Sequence, residues 1–494
     1  MPKLLTHGTI VAATAPLPAN LLARSTEQPI PFMQLFPGLV GPKPDPVDLV
    51  TLQDRMRDTN AADNDSQRTP AGFTFFGQFI DHDLTLTGVA RAADAEDFGE
   101  FRKELPISEL RNLRTAELEL DSVFGQGPEA APAIARTLFR DPPHDLRLRT
   151  GAETHQASWD LAREQPGANG LAPALIGDGR NDENKLVAQV HLAFVRAYNR
   201  LYEQAAGTPT ERYIAARRSL TESYHHILVH DYLRRFVPRP LLESVLMARA
   251  ARWRAANDAA EAARQAAEGA AYQRRVNMPV EFAFALFRFG HSQVRDGYRL
   301  NATTAVPTFS DFAPADLSGL QPIPATLAWD HRLFFDDDIG KPGYVPPARM
   351  NFSRRIDTRL SASLFGLKPP AVDPEAQERS LARRNLQRAR LIGLPSGEQC
   401  AQALGLPVLT PQQLGVDDLA GVRGRTPLWY YILAEAELGG GEQLGPLGGT
   451  ILAETIIGIL SVSEGSFYRN RDWDAAPANG IRSMRQLTDF AAGG

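Results

Sequence analysis

The stretch Phe73-Thr-Phe-Phe-Gly-Gln-Phe-Ile-Asp-His-Asp-Leu-Thr85 is mostly aromatic and apolar, yet it places Gln78, Asp81, His82 and Asp83 on one short element. Burying polar groups without partners costs free energy, so this density of polar side chains inside an apolar run needs a specific reason. A helix face on which carboxylates pair with a histidine would explain the segment equally well. The stretch therefore predicts either a polar site or a paired histidine.

A second segment, Leu175-Ile-Gly-Asp-Gly-Arg-Asn-Asp-Glu-Asn184, is a polar turn that opens a predicted helix containing His191. It carries Arg180 and Glu183. Acidic residues are favoured in a first helical turn, so loop and cap chemistry alone would account for them. The segment is a candidate site only in combination with others.

The third segment is Pro279-Val-Glu-Phe-Ala-Phe-Ala-Leu-Phe-Arg-Phe-Gly-His-Ser292, an aromatic helical pattern with Arg288 and His291 three residues apart. A lone histidine at the end of an apolar helix is usually a core or capping residue. Here Gly290 lies beside it, and a residue without a Cβ lets a flat group approach closely.

Together, and in this order, the three segments resemble the animal-type haem peroxidases of the peroxidase–cyclooxygenase superfamily, in their bacterial-like peroxidase branch. The strings Gly-Gln-Phe-Ile-Asp-His-Asp and Phe-Arg-Phe-Gly-His are specific in combination, and the likeness extends with gaps over about Thr69–Trp473. A fourth match, Leu381–Pro395, resembles the family's helix with an asparagine that orients the proximal histidine; here it would be Asn385. Arg-Leu-Ile-Gly at 390–393 replaces the common Arg-Asp-His-Gly, so the helix exit is expected to differ.

The resemblance implies haem b as cofactor and hydrogen peroxide as substrate, with a ferryl intermediate and a small donor such as a halide, thiocyanate or a phenol. His291 would bind the iron and donate its ring N–H to Asn385. His82 would move a proton between the peroxide oxygens, and Arg180 would stabilise the charge that develops there. Gln78 would hydrogen-bond water or a small anion near the iron.

The resemblance also implies that Asp81 and Glu183 match the two carboxylates that form ester bonds to haem methyl groups in some members. Asn184 follows Glu183 where a sulfonium-forming member would have methionine, so no sulfonium bond is expected. Covalent attachment by the two carboxylates stays open.

Two other functions are compatible with parts of the pattern. A fatty-acid dioxygenase of the same superfamily would carry a tyrosine three residues before the proximal histidine, where this chain has the haem-side residue Arg288. A non-catalytic haem-binding or interaction protein would need neither His82 nor Arg180. Both residues are present, which favours the peroxidase.

The run Thr115-Ala-Glu-Leu-Glu-Leu-Asp121 has oxygen-bearing side chains at alternate positions, which suits a hard cation. An amphipathic strand with a wet acidic face gives the same alternation, and a strand is predicted over Leu113–Phe124. Glu119 stands where the family usually has Asp. The resemblance implies a calcium ion held by Asp83, Thr115, the backbone of Glu117, Glu119 and Asp121.

Helical spacing of apolar residues dominates from Asp182 onward, so the fold class is predicted to be mainly α: a large helical haem peroxidase domain with few short strands. Residues 1–68 are predicted to form a Pro-rich arm packed on the core, and residues 69–494 the catalytic domain. His226 and His230 lie four apart without a third ligand, which favours a structural role. Helices are predicted over about Glu211–Phe236, Leu242–Arg274, Val280–Phe289, Ala376–Arg390 and Thr450–Ser463.

Composition limits the remaining options. With 494 residues, 43% of them hydrophobic, the chain can enclose a cofactor, and its net charge of -5 gives no general attraction to nucleic acid. The single cysteine, Cys400, excludes an intrachain disulfide. The longest apolar run, Thr450–Val462, contains Glu454 and is too short to span a membrane. The protein is predicted to be soluble, cytoplasmic by default or secreted without a cleavable signal peptide, and the pattern leaves its oligomeric state open.

Overall fold

The computed structural model describes residues 10–12, 21–22, 25–59, 64–91, 94–95, 103–154, 158–310, 315–367 and 379–493. Helices dominate these residues and strands are short, which confirms the prediction of a mainly α fold. The α-helices are α1 (Pro46–Arg55), α2 (Gly72–Leu84), α3 (Asp121–Phe124), α4 (Pro132–Leu138), α5 (Lys185–Gln204), α6 (Pro209–Ile227), α7 (Leu233–Phe236), α8 (Arg239–Ala248), α9 (Ala251–Glu268), α10 (Val280–Phe284), α11 (Leu381–Leu391), α12 (Gly397–Ala403), α13 (Leu428–Leu438), α14 (Pro446–Val462) and α15 (Met484–Ala492).

The strands pair in one small sheet and three two-stranded ribbons. They are β1 (Val11–Ala12), β2 (Ser25–Pro31), β3 (Asp65–Pro70), β4 (Thr87–Val89), β5 (Leu110–Arg114), β6 (Phe139–Asp141), β7 (Asp145–Leu148), β8 (Gly297–Arg299), β9 (Ala305–Pro307) and β10 (Phe352–Arg354). The sheet has the order β1-β4-β5-β2, and the ribbons pair β3 with β10, β6 with β7, and β8 with β9.

Helix α5 lies in the core and packs against α2, α6 and α15. Its apolar residues recur every three or four positions, and the Asn184 side chain caps its first turn by accepting from the N–H groups of Leu186 and Val187. Aromatic rings join α5 to α2, with 4.7 Å between the ring centroids of Phe79 and Phe194. Such a pair adds about 0.5–1.5 kcal/mol to the free energy gained by burial. This contact fixes α2 against the core.

The predicted helix over Glu211–Phe236 is present as α6, one π-helical turn (Leu228–Tyr232) and α7. The predicted helix over Leu242–Arg274 is instead two helices, α8 and α9. Arg249 and Ala250 between them adopt left-handed conformations, with φ of 48° and 51°. An α-helix cannot continue through such residues, so the chain turns there.

The N-terminal segment contacts the rest of the chain at several places. Strand β2 pairs with β5, helix α1 packs against α11, and the buried Glu281 carboxylate accepts hydrogen bonds from the N–H groups of Leu35 and Phe36. The division of the chain at residue 68 stays a prediction.

The prediction of a strand over Leu113–Phe124 is wrong beyond Arg114. Strand β5 ends there, and Ala116, Leu118 and Leu120 have φ of 53°, 57° and 59°. A backbone that alternates left-handed residues with others buries every second side chain, as a strand does. The period-two pattern was therefore real, but a different backbone produces it.

Helices α13 and α14 form a buried hairpin in the C-terminal part. Glu454, the charge inside the longest apolar run, accepts a hydrogen bond from the N–H of Trp253 at 2.9 Å. Cys400 on α12 is also buried. Among the residues that the structure describes, no helix is both long and apolar enough to cross a membrane.

Candidate active site

A cavity of about 700 Å³ lies between α2, the start of α5 and the 3-10 helix Leu286–His291. Its wall is apolar over much of its area but carries polar groups from both sides. The residues that line it include Phe73, Gln78, Asp81, Glu183, Lys185, Gly290, His291, Leu317, Leu364, Leu381 and Arg384. All four of the sequence segments singled out as candidates thus contribute to one space.

On one side, which we call the proximal wall, His291 ends the 3-10 helix and faces the cavity. Its Nδ1 lies 2.8 Å from Nδ2 of Asn385 on α11. Removal from bulk water, with the charge of Arg288 nearby, lowers the pKa of His291 to about 3. The imidazole is therefore neutral at pH 7, which is the form that binds a metal.

The tautomer of His291 depends on which end of the Asn385 amide faces it. A half-turn of this amide places Oδ1 against His291 Nδ1, and the ring then donates Nδ1–H and presents the Nε2 lone pair. Trp429 supports the same wall, because its Nε1–H donates to the Arg288 carbonyl at 3.1 Å and its ring stands edge-on to His291. The proximal wall is built to orient one imidazole.

Gly290 leaves room beside this imidazole. A Cβ added to it would have no heavy atom within 4 Å, and the residue lines the cavity. The open space next to His291 is the shape that a flat ring bound at that histidine needs.

The opposite side, the distal wall, is formed by α2 and the turn before α5. The His82 side chain has no exposed surface, and its Nδ1 lies 2.9 Å from Oδ1 of Asn181. An amide oxygen only accepts, so His82 donates Nδ1–H and keeps the lone pair on Nε2. This Nε2 lies 3.9 Å from Oε1 of Glu183, a residue that lines the cavity.

The hydrogen-bond chain continues beyond Asn181. Its Nδ2 lies 3.1 Å from Nδ1 of His191 on α5, which is also fully buried. Burial, and secondarily the Arg180 charge, lowers the pKa of His82 to about 4, and burial lowers that of His191 to about 3. Two neutral histidines and one amide therefore form a fixed row behind the distal wall.

Arg180 lies in this second layer. Its guanidinium donates to both carboxylate oxygens of Asp178 and to the main-chain carbonyl of His82 at 2.9 Å. Burial alone would raise the pKa of Asp178, but Arg180 outweighs it and holds the pKa below its usual range. Arg180 thereby ties the turn before α5 to the main chain of α2.

Gln78 and Glu183 meet at the cavity surface. Gln78 Nε2 donates to Glu183, and Asn184 Nδ2 donates to Gln78 Oε1 at 3.0 Å. Asp81, the other predicted ester carboxylate, lies with Oδ2 3.6 Å from Arg288 Nη1 and accepts from Thr85 Oγ1 at 2.8 Å. The Asp81–Arg288 pair joins the distal wall to the proximal wall.

The residues predicted to bind calcium lie around Asp83 but contact arginines. Arg114 donates to Asp121 and lies 3.8 Å from Asp83, while Glu119 accepts from Arg217 at 3.3 Å and from Thr115 at 2.9 Å. Glu117 lies between Thr115 and Glu119 in the same turn.

His226 and His230 stack on each other at 4.2 Å. His226 Nδ1 lies 3.0 Å from the Tyr468 hydroxyl, and His230 donates to the Trp473 carbonyl. Both are away from the cavity, as their structural interpretation requires.

Sequence reasoning missed Asn181, His191 and Arg384 as members of the site. Asn181 directly follows Arg180 in the quoted turn, but its two partners lie 99 and 10 residues away along the chain. Only the fold brings them together. Arg384 directly precedes Asn385, and this adjacency was the one available signal.

A family model described as animal haem peroxidase matches residues 108–419, a range that contains His291 and Asn385 and begins after His82. Peroxidase A from Dictyostelium discoideum has a similar fold at 15% identity, with a TM-score of 0.57 and coverage of 98% of this chain and 97% of that one. No curated protein is similar enough in sequence to match.

Two plant enzymes share the fold as well. A fatty acid alpha-dioxygenase from Oryza sativa, solved as a point variant with palmitic acid, is 15% identical with a TM-score of 0.52, covering 97% of this chain and 81% of that one. The fatty acid alpha-dioxygenase of Arabidopsis thaliana is 14% identical with a TM-score of 0.53, covering 98% and 80%.

Proposed function

Because the chain belongs to the animal haem peroxidase family, we propose that it binds haem b in the cavity between the two walls, reduces hydrogen peroxide and oxidises a small donor. The observation that carries the proposal is the pair of histidines His291 and His82, each beside its own asparagine. His291 lines the cavity, and His82 is buried behind the opposite wall with its Nε2 3.9 Å from Oε1 of the cavity-lining Glu183.

The residues present fit a haem. His291 offers a neutral imidazole, Gly290 leaves its side of the cavity open, and Arg384 supplies a lining cation suited to a propionate. Asp81 and Glu183 also line the cavity, so both carboxylates predicted to form esters have access to its contents. Haem held by a neutral histidine supplies the electrons that break the O–O bond.

On the distal side, His82 Nε2 would accept the proton of one peroxide oxygen and return it to the other, which leaves as water. Asn181 keeps this proton transfer possible, because it holds the ring proton on Nδ1 and the lone pair on Nε2. Gln78 and Glu183 would position peroxide by hydrogen bonds at the cavity surface. Arg180 would act through the main chain of His82 and through its charge, as well as by the predicted stabilisation of the departing oxygen.

A fatty-acid dioxygenase is the second candidate, because two structural neighbours have that activity and the cavity is largely apolar. The chain has Arg288 where the resemblance expects the radical-forming tyrosine. The Arg288 guanidinium lies 3.6 Å from the Asp81 carboxylate, so this residue links the two walls by an ion pair. This favours the peroxidase.

The test is the absorption spectrum of the haem-loaded full chain before and after one equivalent of hydrogen peroxide, without donor. We expect a histidine-ligated ferric spectrum that changes within milliseconds to seconds, followed by turnover once a halide, thiocyanate or phenol is added. Bound haem without a response to peroxide contradicts the peroxidase, and failure to bind haem contradicts the whole proposal. Oxygen uptake with palmitic acid in the absence of peroxide would support the dioxygenase instead.

A further inference from the structure

A buried arginine lies at the base of the turn between β5 and α3. Arg114 has no exposed surface; its Nη2 donates to Asp121 and lies 3.8 Å from Oδ1 of Asp83, and its Nε lies 4.0 Å from Asp178. These carboxylates come from the start of α3, from α2 and from the turn before α5. One guanidinium therefore donates a hydrogen bond to the start of α3 and lies within 4.0 Å of carboxylates from two other parts of the chain.

The turn that follows Arg114 needs such support. Ala116, Leu118 and Leu120 hold left-handed backbone conformations that cost free energy for residues with a Cβ. Asp83 accepts from the N–H groups of Leu120 and Ser122, each at 3.3 Å. Asp83 thus holds both the turn and the guanidinium, directly after His82 in the chain.

A calcium ion would need six to eight oxygen ligands at about 2.3–2.6 Å. Asp83 and Asp121 already face Arg114, and Glu119 faces Thr115 and Arg217. Over the described residues, no cluster of three or more His, Cys, Asp or Glu side chains has the arrangement of a metal site. The predicted ligands therefore do not fit calcium while Arg114 is in place.

We infer that Arg114 takes the place that the resemblance assigns to calcium: its guanidinium places one permanent positive charge against the carboxylates of Asp83 and Asp121 and links the Thr115–Asp121 turn to α2, so that the distal wall assembles without a divalent cation. A permanent cation on a strand supplies one of the two positive charges that a calcium ion would bring, and it cannot be lost to a chelator. The inference concerns the folded protein chain and does not rest on the haem chemistry proposed above.

The first experiment measures calcium content and thermal unfolding of the purified full chain, with excess EGTA and with excess CaCl₂. We expect substoichiometric calcium and the same Tm in both conditions, because a ligand that does not bind the native state does not stabilise it. Stoichiometric calcium together with a lower Tm in EGTA would overturn the inference.

The second experiment compares Arg114→Ala with Arg218→Ala, whose arginine pairs with Glu222 at the surface. Breaking a buried ion pair leaves uncompensated carboxylates, so we expect Arg114→Ala to lower Tm by roughly 5 °C or more and the control to change it little. Added CaCl₂ should restore part of the loss only in Arg114→Ala, because that change releases the carboxylates of Asp83 and Asp121. A wild-type Tm in Arg114→Ala would contradict the inference; if that chain does not fold, Arg114→Lys keeps the charge and is expected to unfold between the two.

Discussion

The two walls of the cavity use the same pair of residue types in different surroundings. On the proximal wall, His291 faces the cavity and its single asparagine, Asn385, lies behind it. On the distal wall, His82 is completely buried, and Asn181 connects it to a second buried histidine, His191.

In the proposed function, this difference in burial corresponds to two different roles for the histidines. A metal ligand needs an open face and a partner that fixes its tautomer. A base needs its charged form to be unfavourable at rest, and deep burial next to Arg180 provides this by lowering the pKa of His82. The same asparagine contact can therefore orient either a ligand or a base, and the exposure of the ring decides which.

The largest expected effect comes from removing His82, the proposed distal base. His82→Ala should slow the reaction with peroxide by about 10²–10⁴-fold, because proton transfer contributes a factor of this size. Haem binding should persist, since His291 is intact. Stopped-flow absorbance measures the rate, and His144→Ala, at an exposed position, is the control. Loss of haem from His82→Ala with normal peroxide kinetics in the residual holoprotein would reverse the assignment of the two walls.

A smaller effect should distinguish the two asparagines. Asn385→Leu should weaken haem affinity or alter its ligation, with an effect on the order of 10–100-fold, as found for outer-shell partners of metal-binding histidines. Asn181→Leu should leave the ferric spectrum unchanged and slow the peroxide reaction by about tenfold, because the ring of His82 is then free to place its proton on Nε2. Haem titration and stopped-flow absorbance measure the two effects. Equal effects of both variants on haem affinity would contradict the proposal that Asn385 and Asn181 have different roles.

The pH dependence should show a more modest change. The pKa of His82 is lowered to about 4, so the neutral base is present above pH 4 and the peroxide rate should be flat from pH 5 to 8 and fall below pH 4. The free energy of unfolding should also fall on the acid side. The unfolded chain protonates His82 near pH 6.5 and the folded chain only near pH 4, so the stability present above pH 6.5 is lost as the pH falls from 6.5 toward 4. Circular dichroism at each pH separates unfolding from protonation, and a rate that halves near pH 6.5 would contradict the burial of His82.

Helix α5 and the open space beside His291 could be predicted because both depend on local sequence. The three-and-four spacing in Lys185–Gln204 and the Phe-Arg-Phe-Gly-His string need only neighbouring residues. The turn after Arg114 could not be predicted, because alternating left-handed residues and a strand bury the same positions. The role of Asn181 depends on partners from two helices. The role of Arg114 depends on three acidic residues that lie as far as 95 positions apart in the sequence, from Asp83 to Asp178.

Both cofactor predictions came from the resemblance, yet the structure bears on them differently. The haem prediction is supported by a cavity in which Gly290 leaves open space beside His291. The calcium prediction is not supported in the same way, because the guanidinium of Arg114 lies at Asp83 and Asp121, two of the carboxylates expected to bind the ion. An arginine of this kind can be recognised only when the fold shows which acids it reaches.

The burial of Cys400 has a consequence for how well the folded chain would withstand hydrogen peroxide. Burial raises the pKa of this thiol, so it stays protonated, whereas the thiolate is the form that peroxide oxidises. Met247 has 83% of its surface exposed, so we expect sulfoxide to form there first under excess peroxide, leaving the packed interior chemically intact. The other methionines that the structure describes are buried: Met33, Met56, Met278, Met350 and Met484.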